Sequence, residues 1–107
     1  MRKFQLDQNF LRSPRFALFL IGHSNIKKRD LVIEIGAGSG VITSALARRC
    51  KKVITVEKDS ETAERLQKNL KQQKIENVEI FIGDFREMIL PNEPYKVFSN
   101  PPFSLSA

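Results

Sequence analysis

Four polar or glycine-bearing groups stand at the ends of successive apolar runs in this chain of 107 residues. The first is a glycine turn over residues 36–40, and the others are Glu57, Asp84 and Asn100. Glycine permits a tight turn and a close approach of the backbone to a ligand. Carboxylate and amide oxygens accept hydrogen bonds from the hydroxyl and amino groups of a ligand. The pattern therefore predicts a site for a small polar ligand.

The spacing of these groups narrows the class of ligand. Glu57 lies 21 residues after Gly36, the spacing at which an acidic residue accepts from ribose hydroxyls, and its carboxylate would repel the 2′-phosphate of NADP. The glycines follow the pattern G-x-G-x-G, one residue tighter than the dinucleotide fingerprint, and the chain has no phosphate-binding loop of a nucleoside triphosphatase. An adenosine-like ribose without a pyrophosphate remains, and S-adenosylmethionine fits this description. Asp84 would accept from the adenine amine, beside the backbone N–H and apolar edge of Phe85.

The segment Asn100-Pro101-Pro102-Phe103 predicts chemistry on an aromatic amine. The two prolines fix the backbone and remove two donors, so the Asn100 amide oxygen and a neighbouring carbonyl form a pair of acceptors for an NH₂ group. Phe103 offers a face on which a base stacks, worth about 1–3 kcal/mol per base. Two acceptors that hold the amine hydrogens favour rehybridisation of the nitrogen and expose its lone pair. This is catalysis by positioning and electrostatics.

Each of these residues also has a purely structural interpretation. Glu57 could be a surface carboxylate, Asp84 could form a turn after a glycine, and the prolines could end a strand before a core Phe. Glu34 either orients the glycine turn or approaches the ammonium group of the ligand. The single His23 and Cys50 are interpreted as a residue at a helix end and a small core residue, without chemistry.

The elements that must position these groups follow the order of a parallel α/β sheet with right-handed crossovers. The predicted strands are residues 31–35, 53–57, 78–82 and 95–99. Helices are predicted to begin at Ser13-Pro14, after Gly40 and at Ser60, with Ser13 and Ser60 as N-caps, and a short turn is predicted over residues 86–90. Ligands bind beyond the carboxyl ends of such strands, near the switch in strand order. All four groups stand at those ends.

Composition limits the broader class. The 18 Lys and Arg against 12 Asp and Glu give a formal net charge of +6, which fits either a polyanionic partner such as nucleic acid or a solubilising surface excess. One cysteine allows neither a disulfide framework nor a thiol metal site and indicates a cytoplasmic setting. The apolar stretch 16–21 is too short to cross a bilayer, and the basic start lacks the features of a signal peptide. We expect an arm over residues 1–12 and one small domain over residues 13–107.

Taken together, the motifs resemble the ribosomal RNA adenine dimethyltransferases. This family includes housekeeping enzymes of the small subunit and macrolide-resistance enzymes of the large subunit. The resemblance covers essentially the whole chain, in the order Asp7-Gln8-Asn9-Phe10-Leu11, Glu34-Ile35-Gly36-Ala37-Gly38-Ser39-Gly40, Val56-Glu57-Lys58-Asp59, Gly83-Asp84-Phe85 and Asn100-Pro101-Pro102-Phe103. It implies the Rossmann-like fold of S-adenosylmethionine methyltransferases, with about four parallel strands and flanking helices.

The resemblance also implies roles for individual residues. The cofactor-binding set would be Asn9, Leu11, Gly36, Gly38, Glu57, Asp84, Phe85 and Asn100. The catalytic set would be Asn100, Pro101 and Phe103, although the family more often has an aliphatic residue in place of Pro101. The family product is N6,N6-dimethyladenine in rRNA, without a metal. Extrusion of a base from folded RNA costs a few kcal/mol, which phosphate contacts of Lys27, Lys28 and Arg29 could offset in part.

Two alternatives to rRNA adenine methylation stay open. Asn-Pro-Pro-aromatic segments also occur in methyltransferases that act on DNA adenine, guanine amines or protein glutamine, so the acceptor is less certain than the cofactor. A non-catalytic module that binds S-adenosylmethionine or RNA is the second alternative. Related enzymes continue beyond this motif with further strands and a small helical domain that contacts RNA. We therefore expect an N-terminal portion that is inactive by itself, with the strand 95–99 as an unpaired edge.

Overall fold

A parallel sheet forms the centre of the computed structural model, which describes residue 15 and residues 21–99. The strands are β1 (Leu31–Ile35), β2 (Lys52–Glu57), β3 (Val78–Ile82) and β4 (Lys96–Ser99). The helices are α1 (Val41–Arg49) and α2 (Ser60–Gln72), with a short 3₁₀ turn at Phe85–Glu87. The predicted order of elements is confirmed, and no predicted strand boundary is off by more than one residue. The predicted N-terminal arm and first helix start lie outside the described residues.

The strand order is β3-β2-β1-β4, so the first strand, β1, lies between two parallel neighbours. In register, Ile33 is opposite Ile54 of β2 and Val97 of β4. The chain adds β2 and β3 on one side of β1 and then returns to add β4 on the other side. The strand order therefore switches between β1 and β4, which is the position where open α/β sheets bind ligands.

Two predicted helix starts need correction. Ser60 was expected to cap α2, but Asp59 is the N-cap, and its Oδ2 accepts from the backbone N–H of Thr62 at 3.1 Å. A carboxylate at this position both satisfies a free N–H group and interacts favourably with the helix dipole. The turn expected over residues 86–90 is the earlier 3₁₀ turn, because Asp84 caps it.

Apolar side chains on both helices cover the sheet. On α2, Ala63, Leu66 and Leu70, which are three and four residues apart, are all buried. In α1 the buried residues are Ile42, Thr43, Ser44, Ala45, Leu46 and Ala47, and Cys50 after it is buried as well. Full burial of one Leu or Ile side chain contributes roughly 1.5–3 kcal/mol. The polar members of the α1 set were not foreseen, and one of them belongs to the site described below.

The outer side of β4 is open in the described part of the sheet. β4 is the last strand in the order, and Val97 on it is 52% exposed. Phe98, the next residue, packs instead against the core formed by α1 and β1. Within residue 15 and residues 21–99, no helix has the length and apolar character needed to span a bilayer.

Gly40, at the start of α1, gives a test of how tightly the glycine turn packs. It is buried with φ 85°, and a Cβ there would lie 2.6 Å from Leu66 Cδ1. We expect Gly40→Ala to lower the free energy of unfolding by roughly 2–4 kcal/mol, from backbone strain and overpacking, as measured by urea denaturation. The control is Gly22→Ala, where a Cβ meets nothing within 4 Å. Equal losses in the two variants would contradict the packing argument.

Candidate functional site

A cavity of about 460 Å³ opens at the carboxyl ends of β1, β2 and β3. The residues that line it are Ile35, Gly36, Val56, Glu57, Lys58, Asp84, Phe85 and Arg86. Four residues predicted from the sequence to bind a cofactor are thus brought to one place, although they span 50 positions of the chain. They are Gly36, Glu57, Asp84 and Phe85. The parallel arrangement causes this, since every parallel strand delivers its carboxyl end to the same edge.

The glycine turn is shaped by left-handed backbone conformations and by backbone hydrogen bonds. Gly36 has φ 87°, a left-handed conformation that favours glycine, and its N–H donates to the Val56 carbonyl at 3.2 Å. The Gly40 N–H donates to the Ala37 carbonyl at 2.9 Å and closes the turn. Gly38, with φ 55°, is exposed and faces open space. It lies in the same turn but is not one of the residues that line the cavity.

Glu57 is oriented by the loop that follows it. Its Oε2 accepts from the Asp59 backbone N–H at 3.0 Å, and its backbone carbonyl accepts from the Gly83 N–H at 2.8 Å. Its Oε1 accepts no hydrogen bond from the described residues. The half-buried carboxylate therefore has a fixed direction and one oxygen available to a ligand in the cavity.

Asp84 is largely occupied by Arg86. Oδ1 accepts from the Arg86 backbone N–H at 2.8 Å and from Nε at 3.1 Å, and Oδ2 accepts from Nη2 at 2.8 Å. Lys58 Nζ lies 4.0 Å from Oδ2. The side-chain and backbone hydrogen bonds from Arg86 hold the pKa of Asp84 well below its usual range. A carboxylate has about four lone-pair positions, so Oδ2 keeps about one for a ligand.

Glu34 lies beneath this site. It is fully buried, and its Oε1 accepts from the Thr43 hydroxyl of α1 and, at 2.9 Å, from the Thr55 hydroxyl of β2. Its Oε2 has no partner among the described residues. Burial raises the pKa of Glu34 to about 7, the two threonines lower it, and the charge of Glu57 raises it. Of its two predicted roles, the contacts favour orientation of the glycine turn, because Glu34 ties β1 to the elements on both sides of that turn.

The remaining predicted residues lie outside the described part of the chain. They are Asn9, Leu11, Asn100, Pro101 and Phe103. Ser99, the last residue of β4 and the one before Asn100, is opposite Ile35 in register, beside the start of the glycine turn. Sequence reasoning missed Lys58 and Arg86, whose only signal is their adjacency to Glu57 and Asp84. Among the described residues, no group of three or more His, Cys, Asp or Glu could hold a metal ion.

The sequence matches one protein family over its whole length. A sequence model of the family described as Ribosomal RNA adenine dimethylase matches residues 1–107, in agreement with the resemblance of the motifs. A ribosomal RNA small subunit methyltransferase A from Desulforapulum autotrophicum is 33% identical over 111 residues, which cover 100% of this chain and 39% of the relative. The chain spans 34–39% of the length of the curated relatives it matches.

Two solved structures show where the fold recurs. A dimethyladenosine transferase from Plasmodium falciparum is similar with a TM-score of 0.67 and 28% identity, over 94% of this chain and 34% of that chain. A SAM-dependent O-methyltransferase from Thermotoga maritima is similar with a TM-score of 0.74 and 27% identity, over 95% of this chain and 38% of that chain. The sheet and its helices are therefore shared between proteins named for different acceptors.

The buried carboxyl of Glu34 predicts a pH-dependent stability. In the folded chain it keeps its proton until about pH 7, whereas the ordinary value is 4.5. Between these values the folded state binds more protons than the unfolded state, so the free energy of unfolding falls as the pH rises. We expect Glu34→Gln to remove this slope, so that the variant gains on the order of 3 kcal/mol relative to the wild type between about pH 4.5 and 7.

The measurement is urea denaturation of both proteins at a series of pH values. Thr55→Val provides a companion variant, because it removes a hydroxyl that lowers the pKa of Glu34 and should extend the falling part of the curve to higher pH. A stability difference between wild type and Glu34→Gln that stays constant with pH would show that Glu34 does not titrate as described.

Proposed function

The chain belongs to the ribosomal RNA adenine dimethylase family, and from this premise we propose that it is the cofactor-binding part of an rRNA adenine N6-methyltransferase. The observation that supports this most is the common cavity of Gly36, Glu57, Asp84 and Phe85 at the switch in strand order. Its cofactor would be S-adenosylmethionine, which supplies an activated methyl group on a sulfonium when bound. The fold is the Rossmann-like fold of S-adenosylmethionine-dependent methyltransferases.

The residues of the cavity fit the adenosine part of this cofactor. Glu57 would accept from the ribose hydroxyls through Oε1, the oxygen that its loop leaves available. Asp84 would accept one hydrogen of the adenine amine at the remaining position on Oδ2, and Phe85 adds an apolar wall and its backbone N–H. Lys58 and Arg86 also line the cavity, but both pair with the Asp84 carboxylate, so they balance its charge.

The chemical step would depend on residues 100–103. We propose that the Asn100 side-chain oxygen and a carbonyl next to Pro101 accept the two hydrogens of the target N6 amine, while Phe103 stacks on the adenine. These contacts would hold the lone pair of the nitrogen toward the activated methyl group and stabilise the charge that develops on the amine. The amine loses a proton to solvent after transfer, so no strong base is required of the chain.

The other parts of the proposal concern organisation and setting. Residues 13–107 would form the cofactor-binding domain, and Asn9 and Leu11 in the arm over residues 1–12 would close over the cofactor. The partner would be rRNA, in agreement with the net charge of +6, and the protein would act in the cytoplasm. A further strand or another chain would cover the open side of β4, since an exposed parallel edge strand is a site for pairing.

Binding of the cofactor tests the first part of the proposal. We expect Glu57→Ala to weaken binding of S-adenosylmethionine by roughly 10- to 100-fold, because hydrogen bonds to a charged group are worth about 1.5–3 kcal/mol. Isothermal titration calorimetry on the 107-residue chain measures this. The matched control is Glu76→Ala, which removes the same charge from an exposed residue before β3, at the opposite end of the strands. Equal affinities for wild type and Glu57→Ala would overturn the assignment of the cavity.

Methyl transfer tests the second part. We expect Asn100→Ala to abolish transfer of a labelled methyl group to rRNA and to weaken cofactor binding far less than Glu57→Ala does, because the main proposed contact of Asn100 is with the amine. The assay uses the longest protein that contains this chain. Primer-extension stops on the treated rRNA identify the modified adenine. Normal turnover in the Asn100→Ala protein would remove Asn100 from the mechanism. Transfer to DNA or protein instead of rRNA would favour the other acceptors.

A further inference from the structure

A cluster of five cations occupies the edge of the sheet opposite to the cofactor cavity. We call it the basic edge, and it consists of Lys27, Lys28, Arg29, Arg48 and Arg49. All five are exposed. Four of them, all except Arg29, line a cavity of about 420 Å³ whose other lining residues are Ile21, Gly22 and Ala45. Among the residues that the structure describes, no acid lines this cavity.

Backbone contacts establish where this cluster lies. The Arg49 Nε donates to the Ile26 carbonyl at 2.8 Å, which joins the end of α1 to the turn before β1. The Lys51 N–H donates to the Asp30 carbonyl at 2.9 Å, so the turn before β2 lies there as well. These are the amino ends of β1 and β2, whereas the cofactor cavity lies at their carboxyl ends.

The acids near the basic edge pair with lysines outside it, although the pKa of Asp30 is lowered by the Lys96 hydrogen bond and also by the charge of Arg29. Asp30 pairs with Lys96 at 2.7 Å, Glu93 with Lys51 at 2.9 Å and Glu79 with Lys52 at 3.0 Å. Each of these acids is thus engaged by a lysine outside the cluster. In the described part of the chain, none of the five cations forms a salt bridge. Arg48 donates to the neutral Gln73 side chain at 2.7 Å, which does not balance its charge. The charge of the cluster is therefore available to a partner.

The helix dipole explains only part of the cluster. Arg48 and Arg49 stand in the last turn of α1, where a cation is favourable for the helix itself. Lys27, Lys28 and Arg29 precede β1 and belong to no helix, so that argument does not apply to them. Guanidinium groups bind phosphate oxygens in a bidentate manner, and lysines add point charge. A shallow cavity with both types along its rim is suited to a row of phosphates.

We propose that the basic edge binds the phosphodiester backbone of the RNA substrate, at a segment separate from the one that presents the target adenine. This rests on the proposed function for the identity of the partner. The five residues of β1 span roughly 16 Å at about 3.3 Å per residue. RNA that reaches both edges must therefore span at least this distance. The basic edge increases the affinity for RNA and fixes the position of the RNA on the protein, whereas the target base is recognised at the carboxyl edge.

The test compares two double variants of equal charge. Lys27→Ala/Lys28→Ala removes two cations of the basic edge, and Lys68→Ala/Lys71→Ala removes two exposed lysines of α2. Fluorescence anisotropy with a labelled RNA hairpin measures affinity at several salt concentrations. We expect the first variant to bind RNA on the order of tenfold more weakly, with a salt dependence of log K smaller by about 1.4–1.8. We expect the second variant to stay close to wild type.

Calorimetry with S-adenosylmethionine separates this inference from the proposed function. Unchanged cofactor affinity in both variants, together with weaker RNA binding in the first alone, supports the basic edge. Equal RNA affinity in the two double variants overturns it, whatever the cofactor does. If the wild-type chain did not bind S-adenosylmethionine, the proposed function would be overturned. A difference in RNA affinity between the two double variants would still support the basic edge. Binding to vesicles of anionic phospholipid in place of the hairpin would show that the edge serves a membrane surface instead.

Discussion

The buried carboxyl of Glu34 is the constraint on which the rest of the site depends. It stands one residue before the end of β1, and its Oε1 accepts from hydroxyls on α1 and β2 at once. The glycine turn connects β1 to α1, so these bonds join the two ends of the turn and attach them to the next strand. Such burial raises the pKa of the carboxyl, and a fully ionised form would be costly without further partners. The turn is thus held from beneath by a group that favours its neutral form.

The two edges of the sheet differ in electrostatic character. At the carboxyl edge, Glu57 and Asp84 line one cavity, and Lys58 and Arg86 pair with Asp84. At the amino edge, four cations that form no salt bridge with the described residues line the second cavity. Parallel topology creates this separation, because strand ends and helix starts lie at the carboxyl edge, whereas strand starts and helix ends lie at the amino edge. A ligand that donates hydrogen bonds to carboxylates and a polyanion would therefore meet different edges of the same small domain.

The fold follows from patterns that act locally. β-branched runs, a glycine turn and a 3–4 spaced apolar stripe specify strands and helices over a few residues, which is why the bounds of β1 and β3 agree with the prediction. The N-cap residues of the helices were less predictable. Asp59 and Ser60 both have side chains suited to cap α2, and only the backbone conformation distinguishes them. The spacing of Gly36, Glu57 and Asp84 was sufficient to place them together, since parallel strands align their carboxyl ends.

The sequence by itself determined the fold class, the family and the meeting of Gly36, Glu57, Asp84 and Phe85 at the carboxyl edge, because each depends on local periodicity or on motifs in a known order. Tertiary structure alone decided the partners of side chains. The threonines that hold Glu34 are 9 and 21 positions away in the chain, and only the register of β1 against β2 and the packing of α1 bring them to it. The same holds for the basic edge, since Lys27 and Arg49 become neighbours only when α1 returns to the turn before β1. Charge and hydrogen-bond geometry between distant segments depend on packing, which no local pattern encodes.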